Sequence, residues 1–489
     1  MTTILIVGAG PVGLTLAAEL ARYGIGVRLI DRSPHATETS KALVVWSRTL
    51  ELMDRMGCTQ AFLDAGLRAP GASIRSGGKV LGQPRFDDIA SAYNFALMIP
   101  QRDTERLLTA HLRSFGAAVE RQVELIGFTQ ADHQVEARLR HADGREERVA
   151  TPWLIGCDGA HSTVRHGLGV AFGGATQGDD WLLADVRLEG EEAPPPDEIA
   201  TYLHRDGPFV VFPIPGGRAR VVATRGRTDP AHPRPDPTLA DVQALVDQRA
   251  GGGFRVADPV WLTNFRINER KVDEYRQGRI VLAGDAAHIH SPAGGQGMNT
   301  GMQDAINLAW KLAMVARGQA AVSLLDSYSP ERTAVGDMVL RNAGRLTDMA
   351  TLAHPAAQAA RNLALRFLLG LHAVRERMAT TMSEIEIAYA GSPLSRGPGA
   401  GARWDPRHDA GPPPGSGREP RFVLYAADAA RGAALAARFP ALLEPEPRTP
   451  PDGRSLVIVR PDGYVGLSVT EAAWNEAERY LHALAAVPG

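Results

Sequence analysis

Cysteine is nearly absent: the 489 residues hold two, Cys58 and Cys157, each alone in an apolar setting. Neither has the paired spacing that a metal site or a redox motif requires, and a reducing, cytoplasmic location fits. Charge imbalance is also missing. The formal net charge is −2, so nothing points to nucleic acid or to an anionic membrane surface. No apolar run approaches the roughly 20 residues that span a bilayer. The nearest, 363–374, carries Arg366 and His372 and reads as a packed helix. The first strand is expected from the third residue, so no signal or transit peptide is expected. There is no internal repeat, and histidines and carboxylates do not recur at metal-ligand spacing. What remains is the composition of a soluble globular protein, 44% hydrophobic and 22% charged, long enough for two to four domains.

The chemistry-bearing stretches are glycine-rich. The chain opens with an apolar strand that runs into Gly8-Ala9-Gly10-Pro11-Val12-Gly13, then a helical pattern, then a second apolar strand closing on Asp31. This order is the dinucleotide fingerprint in its required setting. Gly8 permits the tight turn, Gly10 lets a pyrophosphate touch the backbone, and Gly13 lets the helix pack close. Asp31, 18 positions after Gly13, would accept hydrogen bonds from a ribose 2′-hydroxyl and repel a 2′-phosphate. The nucleotide is therefore FAD or NAD, not NADP.

A second stretch, 278–312, repeats the strand, tight loop and helix. An apolar run ends in Gly284-Asp285, and a small-residue loop with His288, His290, Pro292, Gly294, Gly295, Gln296 and Gly297 precedes a helical pattern over 299–312. Missing side chains let a flat ligand reach the backbone, and the helix aims its free N–H groups and positive end at it. An ordinary strand-to-helix turn has the same outline, and hydrogen-bonded structural histidines explain His288 and His290 as well as acid–base work does. A third stretch, 154–165, is a strand that ends at Cys157-Asp158-Gly159.

Between these lie other patterns. A helix is expected from about Ser47, with Arg48 at its start; 73–86 alternates like antiparallel strands. Residues 100–112 form a helix capped by Asp103 or Thr104. Short strands separated by proline and glycine fill 176–275, a β-rich insertion whose junction with the nucleotide layer makes a natural cleft. Beyond Pro330 a helical stretch runs to about Ala390. Gly/Pro-rich 391–420 reads as a linker, and a small α/β unit follows. The division is 1–72, 100–175 and 276–340 for the nucleotide domain, 73–99 and 176–275 for the β-rich domain, 341–390 helical, 391–420 linker and 421–489 terminal unit. Trp181, Tyr202, His204, Phe212, Arg225 and Phe254 are candidates to wall or polarise a planar aromatic ligand, although cores use the same residue types.

With three ordered motifs in place (GAGPVG at 8–13, CDGAHSTVR at 157–165, GDAAHIHSPAGGQGMN at 284–299), the chain resembles the group A flavoprotein aromatic hydroxylases, in the branch that tailors aromatic polyketides. The resemblance implies an α/β fold: a glutathione-reductase-like, Rossmann-type FAD domain, an interleaved β-sheet substrate domain and a C-terminal thioredoxin-like domain. RPDGYVG at 460–466 looks like the end of that last domain, which has no CxxC and is expected to be redox-silent.

Carried over by position, Gly8, Gly10, Pro11, Val12, Gly13, Asp31 and Arg32 hold the ADP half of a tightly but non-covalently bound FAD. Arg48 and Gln101 match positions at the pyrophosphate and ribityl region, and Asp158, Gly284 and Asp285 complete that side. Pro292, Gly295, Gly297, Met298 and Asn299 lie against the isoalloxazine, Pro292 and Gly295 nearest the chemistry. Lys41 stands where many relatives have arginine. Trp181, Tyr202, Phe212 and Arg225 are the substrate-side candidates. The implied reaction uses NADPH or NADH as transient reductant and molecular oxygen, through a C4a-hydroperoxide, to hydroxylate a polycyclic aromatic. No second fingerprint exists for the reductant. A Baeyer–Villiger oxygenase, a flavin reductase or dehydrogenase without oxygen insertion, and a flavin- or drug-sequestering protein are the alternatives. Monomer and homodimer both remain open.

Overall fold

A computed structural model describes residues 3–38, 42–229, 234–352, 354–408 and 411–485. The apolar strand Thr3–Val7 lies at the centre of a six-stranded sheet. It pairs in parallel with Gly26–Asp31 on one side and Leu154–Gly156 on the other. Val119–Arg121 extends the sheet beyond the first neighbour, and Ile280–Leu282 beyond the second; Arg276–Gln277 closes that edge antiparallel. A parallel sheet is covered on both faces, which is why these strands are almost uninterrupted apolar runs. Because they are parallel, their carboxyl ends share one edge. Gly8, Asp31, Cys157-Asp158 and Gly284-Asp285 all leave the sheet there, so motifs separated by over a hundred residues meet. The helices Pro11–Arg22 and Gly297–Ala316 pack on each other beneath that edge.

The β-rich insertion forms most of an eight-stranded sheet, in the order His288–Ile289, Arg255–Lys271, Gly173–Glu189, Arg218–Arg227, Phe209–Ile214, Ile199–Tyr202, Ala72–Ser76 and Lys79–Gly82. All neighbours are antiparallel except Ile199–Tyr202 with Ala72–Ser76. Its edge strand His288–Ile289 is also the lead-in to the glycine loop, so one covalent segment ties the sheet to the nucleotide edge. One face is covered by a helix absent from the sequence reading, Leu239–Arg249. A reciprocal cap starts it, Thr238 Oγ accepting the Asp241 N–H and Asp241 the Thr238 N–H.

Several expectations are corrected. The helix Gln101–Ser114 follows Pro100 without a side-chain cap, so Asp103 and Thr104 lie inside its first turn. The helical stretch after Pro330 is three helices, Tyr328–Ala350, Pro355–Leu368 and His372–Met382, because Pro355 can only start a helix and Gly370 separates the last two. The segment read as a linker is fastened along its course. The Gly401 N–H donates to Val465 O at 2.7 Å, the Arg396 N–H to Gly466 O at 2.9 Å, and Arg403 pairs with Glu51 at 2.6 Å. Its glycines serve close approach, not freedom: a Cβ on Gly397, at φ +92°, would stand 1.9 Å from Ser468 O. Among the described residues no helix is long and apolar enough to cross a membrane.

The terminal unit has antiparallel strands Val423–Tyr425, Ser455–Val459 and Val465–Thr470 with helices Ala429–Arg438 and Trp474–Leu484. Its turn 460–464 plugs into the helices below. Arg460 makes two hydrogen bonds to Glu331 (2.6 and 3.0 Å) and reaches Asp462 at 2.6 Å, while Lys311 reaches Glu331 at 2.8 Å. All four residues are buried. Burial works against the charge of Glu331, but Arg460 and Lys311 hold its carboxyl well below the usual range. Burial lowers Lys311 to about 8 despite Glu331. Glu331→Gln leaves two buried cations facing Asp462 alone and should cost about 3–5 kcal/mol. Breaking the exposed Arg85–Asp87 pair should cost no more than about 1 kcal/mol. Denaturant midpoints of the two variants check the contrast; equal effects would remove the buried cluster as the docking element.

Candidate active site

The first glycine turn separates what the chain itself requires from what it leaves room for. A Cβ on Gly8, at φ +101°, would lie 2.3 Å from Cys157 O, and one on Gly13 would lie 1.9 Å from Gly8 O. Both are demanded by protein packing. Gly10 has an ordinary φ of −77°, and a Cβ there would meet nothing within 4 Å. Its bare backbone opens the helix Pro11–Arg22, which has no side-chain cap. The helix Gly297–Ala316 likewise starts without a side-chain cap or an acidic first turn. Two helix starts with free N–H groups, one beside a smooth glycine surface, form places suited to anionic groups. Val12 is the spacer between the loops: its Cγ2 lies 2.7 Å from where a Cβ on Gly284 would be and 2.8 Å from one on Gly301. Asp31 accepts the Ala9 N–H at 2.7 Å and the Ser33 N–H at 2.8 Å, which holds its carboxylate beside the turn; Arg32 is exposed next to it.

Asp158 is committed locally. The Ser162 hydroxyl donates to it at 2.5 Å and the Val164 N–H at 3.1 Å, so it supports the short helix Thr163–Leu168 that Ser162 caps. Burial raises its pKa against those hydrogen bonds. Arg165 then sews the second motif to the third, donating to Ala160 O at 2.7 Å and Ala286 O at 3.1 Å.

The third motif is organised by a residue outside the loop itself. Asp304, fully buried on the long helix, accepts the Gly284 N–H at 2.9 Å, His288 Nε2 at 2.8 Å and Arg332 Nε at 2.5 Å. Burial opposes its ionisation, yet Arg332 and His288 hold it below the usual carboxylate range. Gly284 sits at φ +60°, and Asp285 beside it is exposed. Further along, the Gly295 N–H closes a turn on Pro292 O at 2.9 Å, and Pro292 is exposed. Gly295, at φ +65°, would put a Cβ 3.2 Å from Val44. Asn299 is wholly occupied in holding this loop: its Nδ2 donates to Val44 O and Gly295 O, both at 2.9 Å, and its Oδ1 accepts the Trp46 N–H at 2.8 Å. Trp46 Nε1 donates to Gly294 O at 2.9 Å. Met298 packs half-buried against the core. His288 is thus structural. His290 lies against Gly297, its Nδ1 2.9 Å from Ser291 O; burial and His288 push it down to about 4, so it is neutral.

Other expected site residues stand elsewhere. Arg48 is not turned to the nucleotide edge. Its guanidinium is buried against the terminal unit, bonded to Asp462 O at 2.8 Å and Glu51 at 3.0 Å, and lies over the Tyr464 ring. Gln101 donates to Glu105 at 2.8 Å at the start of its helix. Lys41 lies outside the described residues. Strand alternation divides the substrate-side candidates. Register places Trp181, Leu183, Val210 and Phe212 on one sheet face, and Phe212 joins the cluster that holds Val44 and Trp46. Tyr202 and Phe254 belong to the opposite face, under the helix Leu239–Arg249. Arg225 is tied to Asn264 at 3.0 Å and Pro235 O at 3.3 Å, and His204 accepts the Asp206 N–H at 3.2 Å. Phe265, stacked on Trp181 with centroids 6.4 Å apart, was missed, although it stands in an alternating run. Glu384, buried against the long helix, carried no sequence signal. Among the described residues no group of three or more His, Cys, Asp or Glu could hold a metal ion.

Residues 1–343 match the family model described as FAD binding domain. A curated relative, 6-methylpretetramide 4-monooxygenase of Streptomyces rimosus, is 37% identical, over 99% of this chain and 94% of its own length. Rifampicin monooxygenase of Streptomyces venezuelae is 34% identical over 80% of each. Among solved structures, OxyS anhydrotetracycline hydroxylase from Streptomyces rimosus superposes with a TM-score of 0.81 at 30% identity, covering 100% of this chain and 99% of that one. CabE, an aromatic hydroxylase from angucycline biosynthesis, gives 0.80 at 29% identity, with 99% of each covered. The α/β architecture with its mixed sheets is that of these hydroxylases. The chain belongs to the FAD binding domain family and is an FAD-dependent monooxygenase of its aromatic hydroxylase branch.

Proposed function

We propose that this enzyme uses NADPH or NADH and molecular oxygen to hydroxylate a polycyclic aromatic substrate of polyketide type. One observation carries the reading. The edge strand His288–Ile289 of the eight-stranded sheet runs directly into the loop 292–297, so the sheet face bearing Phe212 abuts the cofactor loop through Val44 and Trp46. A flat ligand on that face has aromatic walls and is oriented toward the loop. The near full-length likeness to a pretetramide monooxygenase and to an anhydrotetracycline hydroxylase supports a polycyclic ligand.

In this reading the six-stranded sheet is a Rossmann-type, glutathione-reductase-like layer. The turn 8–13 and Asp31 take the ADP half of FAD, the two uncapped helix starts take the pyrophosphate and the flavin's negative charge, and Asp285 takes the ribityl chain. Pro292 and the glycines after it face the ring, with Asn299 and Asp304 keeping that loop in place. Trp181, Phe265 and Phe212 wall the substrate and exclude water. FAD, when bound, supplies hydride acceptance and oxygen activation. The terminal unit, thioredoxin-like and without CxxC, is structural.

Purified enzyme in air should oxidise NADPH or NADH faster when a suitable polycyclic phenol is added, with a product heavier by one oxygen atom by mass spectrometry. Nicotinamide oxidation that proceeds equally without oxygen would overturn the oxygenase reading. Because nothing in the chain crowds Gly10, Gly10→Ala should fold normally yet bind FAD on the order of ten-fold more weakly. Gly13→Ala should fail to fold. Wild-type FAD affinity in a folded Gly10→Ala protein, measured by flavin fluorescence titration, would take the turn out of the cofactor site.

A further inference from the structure

Glu384 combines three features that packing alone does not call for. It is a non-glycine residue at φ +62°, a conformation that costs free energy and persists only where its surroundings impose it. Its side chain is buried beside the first two turns of the helix Gly297–Ala316. There its Oε1 accepts the Thr300 hydroxyl at 3.0 Å, and its Oε2 accepts the Gln303 amide. The strap 381–384 that carries it also supplies one backbone acceptor to the cofactor loop and one to the helix Ser47–Met56. Thr381 O accepts Gln296 Nε2 at 3.1 Å, and Ser383 O accepts the Arg48 N–H at 3.1 Å. Gln296 is the buried residue at which the loop 292–297 becomes the helix.

We propose that Glu384 is a positioning residue for the cofactor loop: its carboxyl fastens the strap 381–384 to the long helix and thereby fixes Gln296 at the loop's junction with that helix. The inference rests on the reading of this loop as the FAD site. The charged groups around the carboxyl are Asp304 on the same helix, Arg332 on Tyr328–Ala350, and Arg48 at the strap's other edge, the last already paired with Glu51. Burial pushes the Glu384 carboxyl up to about 8; the Thr300 and Gln303 hydrogen bonds and Arg332 only partly oppose this, and Asp304 adds to it. At neutral pH the latch is a neutral acid. Gln303 Oε1 has no partner, so turning that amide end for end lets it accept the acid's proton.

The folded protein keeps a proton that the unfolded chain gives up near 4.5. The stability of the acid form is therefore whole below that pH and is lost as pH climbs toward about 8, where a carboxylate comes to face Asp304. FAD dissociation constants of the full-length apoprotein, by fluorescence quenching at pH 6–9, and apoprotein melting over the same range test this. Wild type should bind about ten-fold more weakly at pH 9 than at pH 7. Glu384→Gln should bind within about two-fold of wild type at pH 7 and show a flatter pH profile in both binding and melting, because it is the uncharged isostere. Glu384→Gly frees the backbone but removes the latch, so it should melt within a few degrees of wild type and bind FAD about ten-fold more weakly. Wild-type affinity in Glu384→Gly, equal losses in the Gln and Gly variants, or an unchanged pH profile in Glu384→Gln would each overturn the proposal. Wild-type apoprotein that binds no FAD would instead overturn the reading of the loop, and this inference with it.

Discussion

A buried carboxylate sets the geometry on which the rest depends. Asp304 could not remain ionised in an apolar interior without Arg332 and His288, and together they give it three donors from three segments: the turn at Gly284, the strand at His288 and the helix Tyr328–Ala350. Each donor fixes a different part of the carboxyl edge of the six-stranded sheet. Gly284 holds the third motif's turn at φ +60°, where Asp285 faces solvent. His288 anchors the edge strand that joins the aromatic sheet to the glycine loop. Arg332 brings in the segment after the last helices, donating to the Tyr389 hydroxyl at 2.8 Å. Loss of one donor would leave the others arranged around a half-satisfied buried charge.

How much of this was legible in the sequence depends on the range of the interaction concerned. The three motifs were readable because each is a local strand–turn–helix, and parallel pairing alone brings their ends together. Gly8 and Gly13 are glycine for reasons their neighbours dictate. The two faces of the eight-stranded sheet were half legible. Alternation is visible in the sequence, but which alternate set faces the loop is fixed by the helix Leu239–Arg249, whose reciprocal cap at Thr238 and Asp241 was present and unread. Tyr202 lies on the set that packs under that helix. The contacts of Arg48 were out of reach for a different reason: an arginine at a helix start offers charge without direction, and its partners, Asp462 O and Tyr464, lie more than four hundred residues away. Glu384 left no mark because its neighbours are assembled only by the fold.

The segment 391–420 shows how composition misleads. Glycine and proline make a chain flexible only when its backbone groups are left to water. Here they are paired with Val465 and Gly466, and Gly397, Gly401 and Gly415 are small because backbone passes against them. The same residue type that signals a linker in solution permits a tight strap when a surface is available.

The segment 391–420 and the turn 460–464 join the terminal unit to the carboxyl edge of the six-stranded sheet. From Gly284 the bonds run to Asp304, Arg332 and the Tyr389 hydroxyl; the Tyr389 ring then packs on Tyr464 with centroids 4.3 Å apart, in the same turn as Arg460 and Asp462. Trp310, on the long helix, donates to Asp462 at 3.1 Å. The helix that begins at the glycine loop is thus held at its first turns by Glu384 and Asp304 and toward its far end by the terminal turn. A helix pinned at both ends by buried polar contacts has little freedom to slide or tilt. Its N–H groups then stay aimed at one place, a preorganised arrangement that needs no rearrangement when negative charge develops there.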